Sequence, residues 1–66
     1  MPMFRTPLRS TAIASAGYDP DTRTLEVEFV HGATYTHEDV PPEVYEGLVG
    51  ADSPGRYYAY NIKGVY

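Results

Sequence analysis

A histidine followed by two acids, His37-Glu38-Asp39, has the residue types of a metal or acid–base site. Successive residues of a strand point to opposite faces of a sheet, so these three side chains do not converge on one ion. The other histidine, His31, falls in a predicted turn, where its simplest role is that of an exposed residue. The chain also lacks cysteine, a nucleophile elbow, a G-x-G-x-x-G sequence and a P-loop. We therefore predict that the protein is not an enzyme and has no metal site and no cofactor.

Basic and aromatic residues alternate near the end of the sequence, in a pattern that suits contact with RNA. Single-stranded RNA is bound by rings that stack on its bases and by cations that neutralise its phosphates. The candidate RNA contacts are Arg56, Tyr57, Tyr60 and Lys63. Arg5 and Arg9 are further cations that this surface could use. The alternative is structural: Tyr58 packs inward, and the charged residues only keep a helix soluble.

Charge is distributed unevenly along the 66 residues, whose net charge is −4. Residues 1–18 carry +2, residues 19–52 carry −8 and residues 53–66 carry +2. Overall acidity argues against non-specific nucleic-acid binding, which requires clustered Lys and Arg, and it places any RNA-binding surface at the two chain ends. No apolar run reaches the ~20 residues of a membrane span, and no secretory signal is apparent, so we predict a cytoplasmic location.

The small size of the chain gives its seven tyrosines two possible roles. A domain of this length buries only about 60% of its unfolded surface, and tyrosine can bury its ring while its hydroxyl stays hydrated. Tyrosine is also enriched at protein interfaces. A second hypothesis is therefore a protein-interaction or self-associating module that uses exposed tyrosines and an edge of the sheet, either the first strand or its neighbour.

Residues 24–30 show the clearest secondary-structure signal in the sequence. Leu25, Val27 and Phe29 fall on one face and acidic or hydroxyl residues on the other, which indicates a half-buried strand. A strand is also predicted over residues 10–18, after a flexible lead-in at 1–9 that contains two prolines. A third strand is predicted over residues 33–37.

The turn between the last two strands decides which way Tyr35 points. A two-residue turn at His31-Gly32 requires a positive φ at His31 and places Tyr35 opposite Glu28, on the solvent face. A three-residue loop over 30–32 requires a positive φ only at Gly32. We predict this second register, which pairs Phe29 with Ala33, Val27 with Tyr35 and Leu25 with His37.

Two short helices are predicted after the strands. Pro42 suits the first position of a helix that continues over residues 43–49, and Gly50 suits its end. Gly47 weakens this helix by roughly 1 kcal/mol relative to alanine. Residues 55–63 form a second helix or an irregular extended segment; in a helix, Tyr58, Ala59 and Ile62 would face inward. The predicted fold is α+β, a three-stranded antiparallel meander followed by one or two short helices that cover the face of Leu25, Val27, Phe29 and Tyr35.

The chain resembles the KTSC domain, a family named for its occurrence at the C-terminus of some lysyl-tRNA synthetases. The resemblance runs from about Ser10 to Tyr66 and implies a single KTSC-like domain over 10–66. It rests on Ser10-Thr11-x-Ile13, Gly17-Tyr18-Asp19, Leu25-x-Val27-x-Phe29, Gly32, Tyr35, Val40-Pro41, Val44-Tyr45, Leu48, Ala51-x-Ser53-x-Gly55, Tyr57-Tyr58 and Ile62-Lys63.

The family resemblance also implies a candidate partner and two motif positions. Family members are generally uncharacterised, and the synthetase context suggests RNA, either tRNA or single-stranded RNA, as the partner. The central Y-x-Y pattern of the family falls on Tyr35-Thr36-His37, so that His37 replaces its second tyrosine. If the pair forms a stacking platform, this replacement keeps a flat ring with a polar edge and changes how it carries charge.

Overall fold

A four-stranded antiparallel sheet with two helices makes up the computed structural model, which describes residues 5–66. The strands are β1 Arg5–Pro7, β2 Ile13–Asp19, β3 Thr24–Phe29 and β4 Thr34–His37, and the helices are α1 Pro42–Gly50 and α2 Pro54–Asn61. The strand order is β1-β2-β3-β4. The predicted α+β class and the order of elements are confirmed, with one strand more than predicted. Within residues 5–66, neither helix is long and apolar enough to cross a bilayer.

The additional strand, β1, lies in the segment predicted as a lead-in. Arg5 pairs with Gly17 and Pro7 with Ser15, so the strand predicted over residues 10–18 is an inner strand and not an edge. Periodicity could not reveal a three-residue strand, and proline argues against one. At an edge, however, the missing N–H of Pro7 can face solvent at little cost. The rest of the predicted lead-in before Arg5 lies outside the described residues.

The turn between β3 and β4 has the predicted three-residue loop. The Phe29 N–H donates to the Ala33 carbonyl at 2.8 Å, and the Gly32 N–H donates to the Phe29 carbonyl at 3.0 Å. Gly32 has a φ of +104°, a value that suits glycine, and His31 is not among the described residues with positive φ. The pairing of Val27 with Tyr35 and of Leu25 with His37 confirms the predicted register.

The core lies between one face of the sheet and the two helices. Its buried side chains are Ile13, Ala16, Leu25, Val27, Val40, Leu48, Tyr58 and Ile62. Tyr35 belongs to the same face but stays 51% exposed, because β4 is an edge strand and the helices do not extend over its outer side. The prediction that the helices cover Tyr35 is therefore wrong for about half of its surface.

Helix α1 is joined to the sheet through tyrosines. Pro42 is its first residue, as predicted. The side chain of Leu48, also in α1, is fully buried. The ring of Tyr45 stacks on that of Tyr18 with centroids 5.2 Å apart. The Tyr18 hydroxyl donates to the Val40 carbonyl at 2.5 Å, which fastens the segment that leads into the helix. Both rings are half-buried, and the Tyr45 hydroxyl lies 3.0 Å from Thr6 Oγ1, so each hydroxyl has a polar partner.

Helix α2 confirms the helical alternative for the predicted segment, although it ends at Asn61. Tyr58 and Ile62 are buried as predicted. Ala59 is exposed, so its predicted inward position is wrong. One helical residue step is about 100°, which turns Ala59 away from the core and toward β4. The N–H groups of Ile62 and Lys63 both donate to the Tyr58 carbonyl, at 3.0 Å and 2.8 Å, and close the helix end.

Candidate functional site

An open groove of about 610 Å³ lies between the β3–β4 hairpin and α2. We call it the aromatic groove, and its lining residues are Phe29, His31, Tyr35, Thr36, His37, Gly55, Tyr58, Ala59 and Lys63. The hairpin supplies one wall and α2 supplies the other. Gly55 and Ala59 lie one helical turn apart on α2, and the side chain of Ala59 is small where it lines the groove.

Phe29 is the centre of a set of rings on the hairpin side of the groove. His31 stacks on it with centroids 5.6 Å apart and planes 7° apart. Tyr35 and Tyr58 meet it edge-on, at centroid distances of 5.4 Å and 5.2 Å. The hairpin register brings Tyr35 to the Phe29 face, and the three-residue loop brings His31 over it. These contacts hold the rings in place, while His31 and Tyr35 remain exposed to a ligand.

His37 joins β4 to α2 at one side of the groove. Its Nε2 lies 2.8 Å from the Tyr58 hydroxyl, and its Nδ1 lies 3.3 Å from the Tyr66 carbonyl oxygen. A carbonyl can only accept, so Nδ1 donates to it; in the tautomer that has its proton on Nδ1, Nε2 accepts the proton of the Tyr58 hydroxyl. Both ring nitrogens are therefore engaged, and His37 fixes the position of Tyr58 at the base of the groove.

The Tyr58 side chain is only 7% exposed, and its environment disfavours the phenolate. Burial raises the pKa of Tyr58 above its usual value of 10.0, and the neighbouring Tyr35 raises that pKa further when Tyr35 is charged. Tyr58 therefore keeps its hydroxyl proton throughout the physiological pH range.

The raised pKa of Tyr58 predicts a loss of stability in alkali. Below pH about 10 the folded and unfolded chains both hold this proton, so its contribution to stability is complete. Above that pH the unfolded chain releases the proton first, so the free energy of unfolding falls as pH rises. Urea titrations from about pH 8 to about pH 11 would measure this fall in wild type and in Tyr58→Phe.

The expected result is that the stability difference between wild type and Tyr58→Phe shrinks above pH about 10. Tyr60→Phe is the matched control, since the Tyr60 side chain is 78% exposed. A difference that stays constant across the whole pH range would show that the folded and unfolded states bind this proton equally well.

The groove differs in charge from the rest of this acidic chain. None of its lining residues is Asp or Glu, although the chain has nine such residues. Lys63 contributes a positive charge on the α2 side. The backbone N–H of Lys63 is tied to the Tyr58 carbonyl, which fixes where its exposed side chain begins. The arrangement suits a ligand that has flat rings and negative charge.

The structure separates the four predicted RNA contacts into two groups. Arg56, Tyr60 and Lys63 are exposed on α2 and the turn that follows it, and of these only Lys63 lines the groove. Tyr57 lies on another side of the helix, half-buried, with its ring directly against the backbone of Gly47 in α1. The geometry thus assigns Tyr57 to helix packing.

The remaining predicted residues have distinct positions. The Arg5 guanidinium pairs with Glu26 and lies 3.8 Å from Glu28, on the sheet face opposite the helices. Of the His37-Glu38-Asp39 cluster, only His37 lines the groove. In residues 5–66, no three His, Asp or Glu side chains come close enough together to hold a metal ion.

Phe29 and His31 line the groove but were not among the residues predicted to form a site. The alternation of β3 placed Phe29 on the inner face, so it was assigned to the core. Nothing in the periodicity of the sequence places a turn residue such as His31 over a particular ring, because that position depends on the loop conformation. The hairpin register was the one available signal for the Phe29–Tyr35 contact.

Comparison with known proteins gives one consistent family. A family model described as the KTSC domain matches residues 9–66. An uncharacterized protein of Stutzerimonas stutzeri is 52% identical over 56 residues, which are 85% of this chain and 79% of that protein. The crystal structure of a KTSC domain protein from Yersinia pestis matches with a TM-score of 0.92 and 41% identity, covering 97% of this chain and 90% of that one.

Part of a much larger protein is also similar to this chain. A lysine–tRNA ligase of Nostoc punctiforme is 38% identical over 56 residues. The similarity covers 85% of this chain but only 10% of the ligase.

Proposed function

Because the chain belongs to the KTSC domain family, whose molecular function is unknown, we propose that it is a small non-enzymatic module that binds single-stranded RNA in the aromatic groove. The observation that carries this proposal is the composition of the groove: exposed rings and a lysine, with no carboxylate among the lining residues. Such a module would act in the cytoplasm, on tRNA or on other RNA with unpaired bases.

The exposed rings are the part of the groove that suits bases. Tyr35 is 51% exposed, and the Phe29 ring meets it edge-on. His31 rests flat on Phe29. A base that stacks on one such ring gains about 1–3 kcal/mol, and every base has a face that can do so. Rings that are already held in place lose little side-chain freedom on binding.

Two exposed cations, Lys63 and Arg56, give this acidic protein a place where RNA phosphates can bind. Lys63 lies at the groove, and Arg56 is exposed one helical turn before Tyr60 on α2. Two cations neutralise few phosphates, so stacking must supply much of the binding energy. We therefore expect a weak and salt-dependent interaction.

The lysine–tRNA ligase of Nostoc punctiforme supports an RNA partner by association. A segment similar to this chain accompanies an enzyme that acts on tRNA, and a module that holds tRNA would assist such an enzyme. This support concerns the family context, whereas the groove supplies the physical argument.

The direct test is a fluorescence-anisotropy titration of tRNA and of a labelled single-stranded RNA at two salt concentrations. For a single strand, each neutralised phosphate contributes about −0.7 to the slope of log K against log salt. We expect Lys63→Gln to reduce the magnitude of that slope by about 0.7. We expect Tyr35→Ala to weaken binding by about tenfold or more, through the loss of stacking.

Arg23→Gln is the matched control for Lys63→Gln, because it removes the same charge from the turn between β2 and β3. Arg23 does not line the groove, so its replacement should leave both the affinity and the salt slope unchanged. The proposal fails if no RNA binds at low salt. It also fails if the two glutamine substitutions weaken binding equally, since binding would then depend on net charge alone.

A further inference from the structure

The two edges of the sheet differ in how they are protected against pairing with another strand. β1 carries Arg5 and Pro7, and charged residues and proline are the usual means of protecting an edge. β4 has the sequence Thr-Tyr-Thr-His, with no proline and no Lys, Arg, Asp or Glu. Its first three residues are exposed. β4 is therefore an edge that lacks the common features that prevent pairing.

The free backbone groups of β4 belong to Thr34 and Thr36. Opposite residues of an antiparallel pair alternate between hydrogen-bonded and non-hydrogen-bonded positions. Since Phe29 and Ala33 are hydrogen-bonded, Tyr35 bonds toward β3, and Thr34 and Thr36 direct their N–H and C=O groups outward. In the described part of the chain, no side chain or loop provides a hydrogen bond to these outward groups.

The sequence of this edge is complementary to itself. Thr34-Tyr35-Thr36 reads the same in both directions, so antiparallel pairing with an identical strand places threonine against threonine and tyrosine against tyrosine. We propose that β4 pairs with β4 of a second copy of this chain, with Thr34 opposite Thr36 of that copy and Tyr35 on the twofold axis. Each threonine pair then exchanges two hydrogen bonds, and the two sheets become continuous.

The side chains favour this register on both faces of the sheet. Thr–Thr and aromatic–aromatic pairs are among the favourable cross-strand pairs of antiparallel sheets. Tyr35 is half-exposed in the single chain, and pairing covers its free side. The association does not require RNA, so sedimentation without RNA tests it separately from the proposed function; because Tyr35 and Thr36 also line the aromatic groove, the dimer and RNA would compete for these residues.

Sedimentation at micromolar to millimolar concentrations tests the association. The expected result for wild type is a mass that rises with concentration toward twice that of the monomer. Thr36→Pro removes an outward N–H and leaves the bonds to β3 intact, so the single chain should still fold. By symmetry the dimer loses two hydrogen bonds, each worth roughly a factor of five, so dissociation should become about thirtyfold more favourable.

Thr36→Val is the control for this substitution, because it keeps the N–H and should retain most of the association. Circular dichroism of each variant checks that the single chain is folded. A wild-type protein that remains monomeric at the highest concentration overturns the proposal. Equal association of Thr36→Pro and wild type also overturns it, since the contact would then lie elsewhere.

Single cysteines test the register directly, because the chain has no cysteine of its own. Residues at a non-hydrogen-bonded pair have Cα atoms about 4.5 Å apart, within the roughly 4.4–6.8 Å that a disulfide allows. Under mild oxidation, Tyr35→Cys should therefore form covalent dimers faster than Thr36→Cys, whose nearest partner is Thr34. Tyr60→Cys, on the exposed side of α2, reports random collisions. If all three variants form dimers at the same rate, this register is wrong.

Discussion

Replacing Gly47 with alanine should destabilise the protein, although alanine is the better helix former. A Cβ atom at Gly47 would lie 2.6 Å from Cζ and 2.9 Å from Cε2 of Tyr57. Carbon atoms in proteins pack at about 3.5–4.0 Å, so the Tyr57 ring would have to leave its place between the helices. Such overpacking costs about 1–3 kcal/mol, which exceeds the roughly 1 kcal/mol that alanine gains in helix propensity.

A double-mutant cycle separates these two effects. In a Tyr57→Ala background the steric conflict is gone, so Gly47→Ala should stabilise the protein by about 1 kcal/mol and reverse its sign. Gly50→Ala is the control in the wild-type background, because nothing lies within 4 Å of its added Cβ. Urea unfolding of the four variants measures each free energy. If Gly47→Ala stabilises the protein while Tyr57 is present, the ring is not confined as the structure shows.

The position of Tyr57 illustrates what the sequence could not predict. Its type and its cationic neighbours suggested a role in binding, and a helical wheel gave only its direction around α2. Which surface lies in that direction depends on how α2 crosses α1, and no local pattern specifies that angle. Gly47 looked like a weakness in α1, whereas it is the residue that makes room for a ring. Helix propensity describes one helix and omits its neighbour.

The hairpin shows the opposite case, in which local physics was sufficient. Among the residues of the β3–β4 loop, only Gly32 takes a positive φ without strain, which favours a loop of three residues. A three-residue loop in turn pairs Val27 with Tyr35. That register then assigned a face to each residue of both strands. β1 could not be predicted in this way, because its three residues show no alternation and depend on β2 for their hydrogen bonds.

The aromatic groove combines both situations. Its hairpin wall follows from the register, which places Phe29 and Tyr35 on the same face. Its other wall depends on where α2 lies, and the His37–Tyr58 hydrogen bond joins residues 21 positions apart in the sequence. A candidate site drawn from α2 contained Lys63, and the family resemblance added Tyr35 and His37, but Phe29 and His31 were missed. The site became visible only when both elements were placed together.

Leu25→Ala should destabilise the protein more than Gly47→Ala does. Leu25 is fully buried in an inner strand, where it is paired with Tyr18 on one side and His37 on the other. Leucine-to-alanine changes in protein cores cost about 2–5 kcal/mol. A domain of 66 residues has a total stability of roughly 3–10 kcal/mol, at about 0.05–0.15 kcal/mol per residue. Truncating the Leu25 side chain is thus expected to remove a large share of the total free energy of unfolding.

Thermal unfolding followed by circular dichroism measures this loss. In a domain of this size each 1 kcal/mol lowers Tm by about 4–8 °C, so a loss of about 2 kcal/mol or more should lower Tm by at least roughly 8 °C. Val30→Ala is the control on the same hairpin, because Val30 is 56% exposed and its replacement should cost less than about 0.5 kcal/mol. If the two variants unfold at similar temperatures, the core around Leu25 must collapse into the space that its side chain leaves. A thin core could do this only if the helices move toward the sheet, and such a movement would also narrow the aromatic groove.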